Sequence, residues 1–379
     1  MSRSSSPSIH VAPHTLPREP RVIVCAGGGG VGKTTTSAAL ALALARRGLR
    51  TLVVTIDPAR RLADALGVTI GPLPHVVHVD PGTGDRLWAL MPEPQASTRT
   101  FMEFLFRDEP ASLERLFSNR LFLALSDALA GMHELVCMTL VARAASEHTF
   151  DYVIVDTAPS RYALDFVSYP PRLAALLESR AMGFFGTLAD RSGGEHEGAA
   201  AGLARKTAEA ALARGLGGRL VLDLTSLFSE MLRVRERFAG LANQSARLLL
   251  GESSRYVLVA APTGSALADV RFLARKLDKL GRTPCAVVLN RADVASHAWA
   301  AALLADAYTP PALATALRQL EAEREARTNA ADQMSEVLAR HLASVPRVRL
   351  PFVESRGPAE IVLRLADEIA SGLSVVAGV

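Results

Sequence analysis

The sequence predicts an α/β fold, a doubly wound and mostly parallel sheet with a helical subdomain inserted into it. Short β-branched runs alternate with longer helical patterns, as in a parallel sheet covered by helices on both faces. Hydrophobic residues make up 49% of the chain but aromatic residues only 5%, so the apolar content is mostly Ala, Leu and Val. That composition suits helices packed on a parallel sheet and disfavours a sandwich or barrel.

Strands are predicted wherever a short apolar run is followed by a polar or turn residue. Such residues lie at the carboxyl edge of a parallel sheet, where these folds bind ligands. The predicted strands are Arg21–Ala26, Thr51–Ile56, Leu87–Met91, Tyr152–Asp156, Tyr256–Ala261, Pro284–Asn290 and Arg347–Pro351.

The strand pattern disappears in two stretches, about residues 92–145 and 170–251. Apolar residues there recur at helical spacing, which predicts a helical subdomain inserted into the sheet domain. Residues 1–20 are polar and rich in Ser and Pro, so we expect a disordered leader before a domain over residues 21–379.

Charge, cysteine content and hydropathy argue against a nucleic-acid-binding or membrane-spanning protein. The formal charge is +4, but it comes from scattered arginines with no basic block, which argues against a nucleic-acid partner. Three dispersed cysteines without a CxxC pair fit a reducing, cytoplasmic setting. No apolar run approaches the roughly 18 residues that cross a bilayer, so membrane association is expected only through a partner.

Residues 27–34, GGGGVGKT, match the phosphate-binding pattern G-x-x-x-x-G-K-T. A predicted strand precedes them and a predicted helix follows, as this pattern requires. Backbone N–H groups of the glycine-rich turn and the helix N-terminus would hold an anion, Lys33 would neutralise the outer phosphates, and the Thr34 hydroxyl would contact Mg²⁺.

A dinucleotide-binding turn is the rival interpretation of the same residues. Gly27, Gly29 and Gly32 also satisfy G-x-G-x-x-G, and Asp57 follows the next predicted strand as a ribose-binding acid would. The Gly-Lys-Thr run favours a nucleoside triphosphate, because a dinucleotide turn has no need for a lysine and a hydroxyl there.

Two acids end neighbouring predicted strands beside this loop. Asp57 follows the second strand and Asp156 ends the run FDYVIVD. Hydrolysis needs an oriented water and a metal held by fixed oxygens, so Thr34, Asp57 and Asp156 are the predicted metal ligands. The alternative is that Asp57 merely starts a turn before Pro58 and that Asp156 caps a helix.

Four segments in order resemble the ArsA/Get family of arsenical-pump and tail-anchored-protein targeting ATPases. They are the phosphate loop with its helix and the following strand up to DPARRLADALG, then DYVIVDTAPSRYALDF, VLVAAPTGSALADVRFLARKLDKLGRTPCAVVLNRAD, and LPFVESRG. The resemblance covers roughly half the chain, all of it the sheet domain, and it implies an ATP- and Mg²⁺-dependent ATPase in the class that includes MinD and ParA.

The resemblance also implies roles for single residues. Asp57 would orient the attacking water, and Asp156 would lie near Mg²⁺. Asn290 would hydrogen-bond the base, with ATP favoured over GTP although Asp293 stands where GTPases read guanine. Pro351 and Phe352 would line the base pocket. The residues implied to hold the phosphates and metal are Gly29, Gly30, Val31, Gly32, Lys33, Thr34 and Thr35.

The chain departs from the family pattern beside the γ-phosphate. The family's signature lysine, which typically reaches the phosphates of a partner subunit, is Gly28 here, while Arg60, Arg61 and Arg161 are additional. One hypothesis is that one of these arginines supplies the missing charge as an arginine finger. The alternative is that Arg60 and Arg61 are solvated on a helix and that turnover is poor.

The predicted function is a nucleotide-switch ATPase that controls a protein client or partner, as a homodimer or with a paralogous ATPase. A client surface on the helical subdomain is possible in this scheme, although apolar stripes at helical spacing are more often plain core. Arsenite pumping and eukaryote-style tail-anchor delivery are both disfavoured. The dispersed cysteines offer neither a zinc-binding CxxC pair nor a thiolate cluster, and the eight methionines are too few and too scattered for a Met-rich groove. Two alternatives stay open: a catalytically weak subunit of a heteromeric pair, and a ParA/MinD-like positioning ATPase.

Overall fold

The computed structural model describes residues 21–57, 59–128, 130–146, 149–158, 164, 218–292, 298–306, 308–355 and 357–378. The predicted leader at residues 1–20 lies outside the described residues. So does most of the second predicted helical stretch, up to residue 217.

The described strands form one eight-stranded sheet in the order β3-β4-β2-β5-β1-β6-β7-β8. Every neighbouring pair is parallel except β3 and β4. This confirms the predicted mostly parallel α/β architecture. The strands are β1 (Arg21–Ala26), β2 (Thr51–Thr55), β3 (His75–Val76), β4 (Leu87–Leu90), β5 (Tyr152–Asp156), β6 (Ser254–Ala260), β7 (Ala286–Leu289) and β8 (Arg347–Arg349).

All seven predicted strands are present, with ends that differ by at most two residues from the prediction. The missed strand is β3, a two-residue antiparallel edge strand. Its residues are only half-buried, so the chain has no apolar run there to indicate a strand.

Helices connect the strands on both sides of the sheet. They are α1 (Lys33–Arg46), α2 (Arg61–Leu66), α3 (Pro94–Leu105), α4 (Pro110–Ser118), α5 (Arg120–Ala128), α6 (Ala130–Ser146), α7 (Gly218–Arg233), α8 (Arg235–Leu250), α9 (Gly264–Lys279), α10 (Ala298–Ala305), α11 (Pro311–His341), α12 (Pro358–Ala370) and α13 (Leu373–Val376), with a 3₁₀ segment at Pro81–Arg86. No described helix has the length and apolar character that crossing a bilayer requires.

Each of the two predicted helical stretches contains a break between consecutive helices. The first break is at Asn119, whose side-chain oxygen accepts hydrogen bonds from the N–H groups of Leu121 and Phe122, both at 3.0 Å. This is an N-cap, which satisfies backbone donors at the start of α5. The second break is at Val234, between α7 and α8.

Buried side chains fall into two hydrophobic clusters. The larger contains the inner strands, α1 and α12, and α1 is buried almost throughout because the sheet covers one side and α12 packs on another. The smaller joins α3, α4 and α5 to α7 and α8 through residues such as Phe101, Phe106 and Phe238. A separate helical core agrees with a helical subdomain, whose boundaries within the chain remain a prediction.

The chain winds to one side of β1 through β2 to β4 and returns beside it as β5, and the strands from β6 onward lie on the other side. The reversal leaves a crevice at the carboxyl end of β1, which is where ligands bind in open α/β sheets. The predicted phosphate loop begins at this point, directly after Ala26.

Candidate functional site

The phosphate loop turns from β1 into α1 through a backbone conformation that only glycine adopts freely. Gly30 and Gly32 have φ angles of 72° and 87°, in the left-handed region. Gly32 is the residue that starts α1, and its position offers no side-chain acceptor to the first helical N–H groups. These donors and the positive end of the helix dipole are therefore directed at whatever anion lies in the loop.

Asn290, from the second half of the chain, leaves no room for a side chain at Gly32. A Cβ atom at this position would lie 2.1 Å from the side-chain nitrogen of Asn290. That nitrogen donates a hydrogen bond to the carbonyl oxygen of Val31 at 3.0 Å, and Asn290 is buried. Asn290 thus contacts the phosphate loop itself, and its expected hydrogen bond to a base remains a prediction.

Lys33 lies beneath the loop and not in solvent. Its side chain is 5% exposed, and its Nζ donates to the carbonyl oxygen of Gly28 at 2.9 Å. Burial lowers the pKa of this amine, while the charges of Asp156 and Asp57 partly oppose that shift. The structure therefore places the predicted phosphate-binding lysine among both predicted carboxylates.

Asp156 is fully buried at the end of β5. Its carboxylate accepts hydrogen bonds from Ser37 at 3.3 Å and from Thr55 at 3.2 Å. Burial raises its pKa from 3.8 to about 6, although the hydroxyl of Thr34 and the charge of Lys33 act in the opposite direction. Thr34 and Asp156, two of the predicted metal ligands, are thereby brought together.

Asp57 follows β2, next to β5, and is 7% exposed. One carboxylate oxygen accepts from the backbone N–H of Ala59 at 3.1 Å, as in an Asx turn. The other lies 2.7 Å from the guanidinium of Arg61, whose side chain is 56% exposed. Asp57 therefore does start the turn that was considered as an alternative to a role in the site. Its carboxylate is nevertheless close enough to Lys33 to affect the pKa of that amine.

The three arginines that distinguish this chain differ in position. Arg61 is bound to Asp57, as described above. Arg60 is exposed at the start of α2 and has no ion pair among the described residues. Arg161 lies outside the described residues, so its predicted role is untested. Of the two described arginines, only Arg61 reaches the site.

The position of the missing lysine is occupied by a carboxylate. A Cβ atom on Gly28 would lie 2.2 Å from the side-chain oxygen of Asp269, on α9. A side chain at residue 28 therefore requires Asp269 to move. Asp269 is not predictable from the sequence, because nothing in the pattern of α9 shows that one of its acids faces the phosphate loop.

In the predicted base pocket, an arginine that the sequence did not indicate lies against Phe352. Phe352, which follows β8, is 42% exposed, and Pro351 before it is partly buried. The guanidinium of Arg327, on α11, lies over the Phe352 ring at 4.9 Å from the centroid, a cation–π arrangement. Whether a base binds against these residues is untested, and Asp293 lies outside the described residues.

Ser37 and Thr55 are functional candidates that the sequence analysis missed. Both hydroxyls bind Asp156, and Thr55 also contacts the backbone of Asp57, with its hydroxyl 3.2 Å from the backbone nitrogen. A polar residue at the end of an otherwise apolar strand, two positions before Asp57, was the signal available for Thr55.

Comparison with known proteins agrees with this geometry. Residues 20–194 match the model of the ArsA family, described as anion-transporting ATPase. The chain resembles the ArsA family over this region, which is somewhat less than half of its length. The sequence resemblance to this family is confirmed, and so is its P-loop α/β fold.

Individual relatives match over part of their length. An ATPase get3 of Schizosaccharomyces japonicus is 31% identical over 156 residues, which is 41% of this chain and 45% of the relative. A second ATPase get3, from Schizosaccharomyces pombe, is 31% identical over 45% of this chain and 48% of its own length. A Streptomyces coelicolor protein described as uncharacterized is 34% identical over 41% of this chain and 39% of its own. The chain thus spans less than half the length of these curated relatives.

The oxygen ligands present suit Mg²⁺. The hydroxyl of Thr34 and the carboxylates of Asp156 and Asp57 are hard oxygen donors, and the first two are already joined by a hydrogen bond. Among the described residues no group of three His, Cys, Asp or Glu suggests another kind of metal site. A cation that replaces the proton of Asp156 would also relieve the cost of burying that carboxylate.

The raised pKa of Asp156 predicts how stability depends on pH in the absence of divalent cations. The folded protein holds this proton up to about pH 6, whereas the unfolded chain releases it near pH 3.8. Stability is therefore lost as pH rises between these values, by about 3 kcal/mol, and is constant above them. We expect Asp156→Asn to remove this loss, as measured by urea unfolding of both proteins from pH 4 to pH 8 with EDTA.

Glu93→Gln, which changes an exposed acid outside the site, is the matched control. Its pH profile should follow that of the wild type. Parallel profiles for the wild type and Asp156→Asn would contradict a raised pKa at this carboxyl.

Proposed function

We propose that this chain is a cytoplasmic ATPase that binds ATP with Mg²⁺, hydrolyses it, and uses the cycle to control a protein client or partner. One observation carries the proposal. The phosphate loop, the buried Lys33 and two carboxylates from neighbouring strands converge at the carboxyl end of β1. The match to the ArsA family model supports it, and so do the similar proteins named ATPase get3.

Each part of the site has a separate task in this mechanism. Backbone N–H groups from Gly29 to Thr34 and the amine of Lys33 hold the phosphates. Thr34 and Asp156 would hold Mg²⁺, which would neutralise charge on the phosphate oxygens. Asp57 orients the attacking water in line with the γ-phosphate.

Asp57 can do this only when its carboxylate is available. In the structure one oxygen is bound by the N–H of Ala59 and the other by Arg61. We propose that Arg61 leaves Asp57 for the γ-phosphate when ATP binds, which frees the carboxylate oxygen and supplies the positive charge that Gly28 lacks. A guanidinium suits both partners, because its fork fits carboxylate and phosphate oxygens alike.

The helical subdomain is the proposed surface for the client. It has its own hydrophobic core, and it exposes Leu123 on α5 together with Leu220 and Leu222 on α7, at 46%, 38% and 60%. Exposed leucines on neighbouring helices are suited to contact an apolar segment of another protein. A homodimer or a heterodimer with a related ATPase remains part of the proposal.

Removal of the lysine amine tests the proposed activity. We expect Lys33→Ala to lower steady-state ATP turnover by about 100-fold or more, because a buried donor to the transferring phosphate is lost. Lys279→Ala, which removes an exposed lysine on α9, should leave turnover unchanged. The proposal is wrong if the wild type shows no saturable binding of ATP with Mg²⁺, or if both variants retain full turnover.

The proposed role of Arg61 can be separated from a general effect of charge by using its neighbour. We expect Arg61→Ala to lower kcat by at least about tenfold, as loss of an arginine that stabilises the transition state does. Arg60→Ala removes the same charge one residue away and should stay within about twofold. Equal rates in the two variants would eliminate the arginine finger at Arg61, and a faster Arg61→Ala would show that the arginine only blocks Asp57.

A second candidate is a catalytically weak subunit that pairs with an active homologue. The observation that favours it is the carboxylate of Asp269 at the position of the family lysine, since this replaces a positive charge beside the loop by a negative one. Such a subunit would bind ATP as a signal, while its partner supplies the missing lysine.

Restoring the lysine tests this candidate. We expect Gly28→Lys alone to change turnover little, because Asp269 lies within contact of the new side chain and would bind its ammonium. Gly28→Lys combined with Asp269→Ala should raise turnover at least about tenfold by freeing that ammonium, and Asp269→Ala alone is the control. If turnover of the wild type equals that of the double variant, the chain is not a weak subunit.

A further inference from the structure

A cavity of about 310 Å³ lies at the opposite edge of the sheet from the phosphate loop. It is lined by the last turns of α9, by Thr283 and Pro284 just before β7, and by His341 at the end of α11. Residues that precede a strand lie at its amino end, whereas the phosphate loop follows β1. The cavity is therefore separate from the proposed ATPase site.

Positive charge dominates the lining of this cavity. Arg271, Arg275 and Arg282 contribute three guanidinium groups, against one carboxylate from Asp278. None of the three arginines forms an ion pair within 4.0 Å with an acid in the part of the chain that the structure describes. Like charges gathered in one concave surface without counter-charges favour an anion from solution.

Arg282 is fixed in this cavity by the protein backbone. One of its terminal nitrogens donates to the carbonyl oxygen of Ser254 at 2.6 Å, and its buried Nε has no hydrogen-bond partner among the described residues. The guanidinium is thus held in place by a neutral acceptor, and its charge is left uncompensated. A positioned and uncompensated arginine costs less to order on ligand binding than a free surface side chain.

His341 orients a second arginine. Its Nδ1 lies 2.9 Å from the carbonyl oxygen of Val337, so Nδ1 carries the proton, and its Nε2 is the acceptor that faces the Arg271 guanidinium. The remaining N–H groups of Arg271 are free to bind a ligand, while the exposed Arg275 lies one helical turn further along α9.

From this geometry we propose that the cavity binds the phosphate group of a small molecule. Guanidinium groups bind phosphate oxygens through paired N–H bonds, and several arginines around one pocket match the multiple oxygens of this group better than the two of a carboxylate. The ligand is either inorganic phosphate or pyrophosphate, or an organic phosphate small enough for the cavity.

Calorimetric titration of the full chain tests the proposal. Lys33→Ala serves as the background, because it weakens phosphate binding at the ATPase site. The probes are inorganic phosphate, pyrophosphate, glycerol 3-phosphate and citrate. We expect saturable binding of at least one phosphate compound and weaker binding of citrate. Binding of glycerol 3-phosphate would identify an organic phosphate as the ligand, and binding of phosphate or pyrophosphate alone an inorganic one.

Variants of the lining locate the site. Arg271→Ala combined with Arg275→Ala should weaken binding at least about tenfold, because two charge-assisted contacts are lost. Arg275→Lys keeps the charge without the fork and should weaken binding less. Arg318→Ala, which removes an exposed charge on α11 outside the cavity, should stay within about twofold. Thermal unfolding of each variant shows whether it is folded.

Three results would overturn the proposal. The first is no saturable binding of any phosphate compound. The second is an equal loss of affinity in Arg318→Ala and in the cavity variant, which would indicate only general charge attraction. The third is citrate binding as tight as that of pyrophosphate, which would show no preference for phosphate. None of these results bears on ATP turnover, so failure here is distinguishable from failure of the proposed ATPase function.

Discussion

The left-handed turn at Gly32 is the constraint on which the rest of the site depends. α1 must start there because β1 ends at Ala26 in the middle of the sheet and the helix is buried between the sheet and α12. With both elements fixed by packing, the loop between them has little conformational freedom. This restriction lowers the entropy cost of ordering the loop around an anion.

The site also buries two ionisable groups, Lys33 and Asp156. Burial lowers the pKa of Lys33 and raises that of Asp156, so it favours the neutral form of each. The hydroxyls of Ser37 and Thr55 supply hydrogen bonds that limit this effect at Asp156. Shifted pKa values of this kind are concentrated at functional sites, and the Asp156 carboxylate beside the Thr34 hydroxyl provides the oxygen donors that a cation would need.

Much of this architecture could be predicted from the sequence, because buried strands and helices appear there as runs and periodic patterns of apolar residues. Seven strands are predicted to within two residues. The phosphate-loop pattern and the acids at two strand ends also predict that Lys33, Asp57 and Asp156 lie close together, as they do in the structure. The two-residue β3 and the contacts of Asp269 and Arg327 could not be predicted, since they depend on which side chains meet across the fold. Likewise, the adjacent Arg60 and Arg61 look equivalent in the sequence. The structure distinguishes them, because at the start of α2 Arg61 forms an ion pair with Asp57 whereas Arg60 is exposed to solvent.

Asn290 connects two parts of the molecule that are about 260 residues apart in the chain. Its side-chain nitrogen donates to the Val31 carbonyl and occupies the space beside Gly32. The residue that follows β7 therefore packs directly against the loop that follows β1. If Asn290 is displaced, that carbonyl loses its donor and the loop loses a lateral support. A ligand that displaced Asn290 would therefore change the affinity of the loop for phosphate, and phosphate binding would change the affinity for that ligand by the same factor.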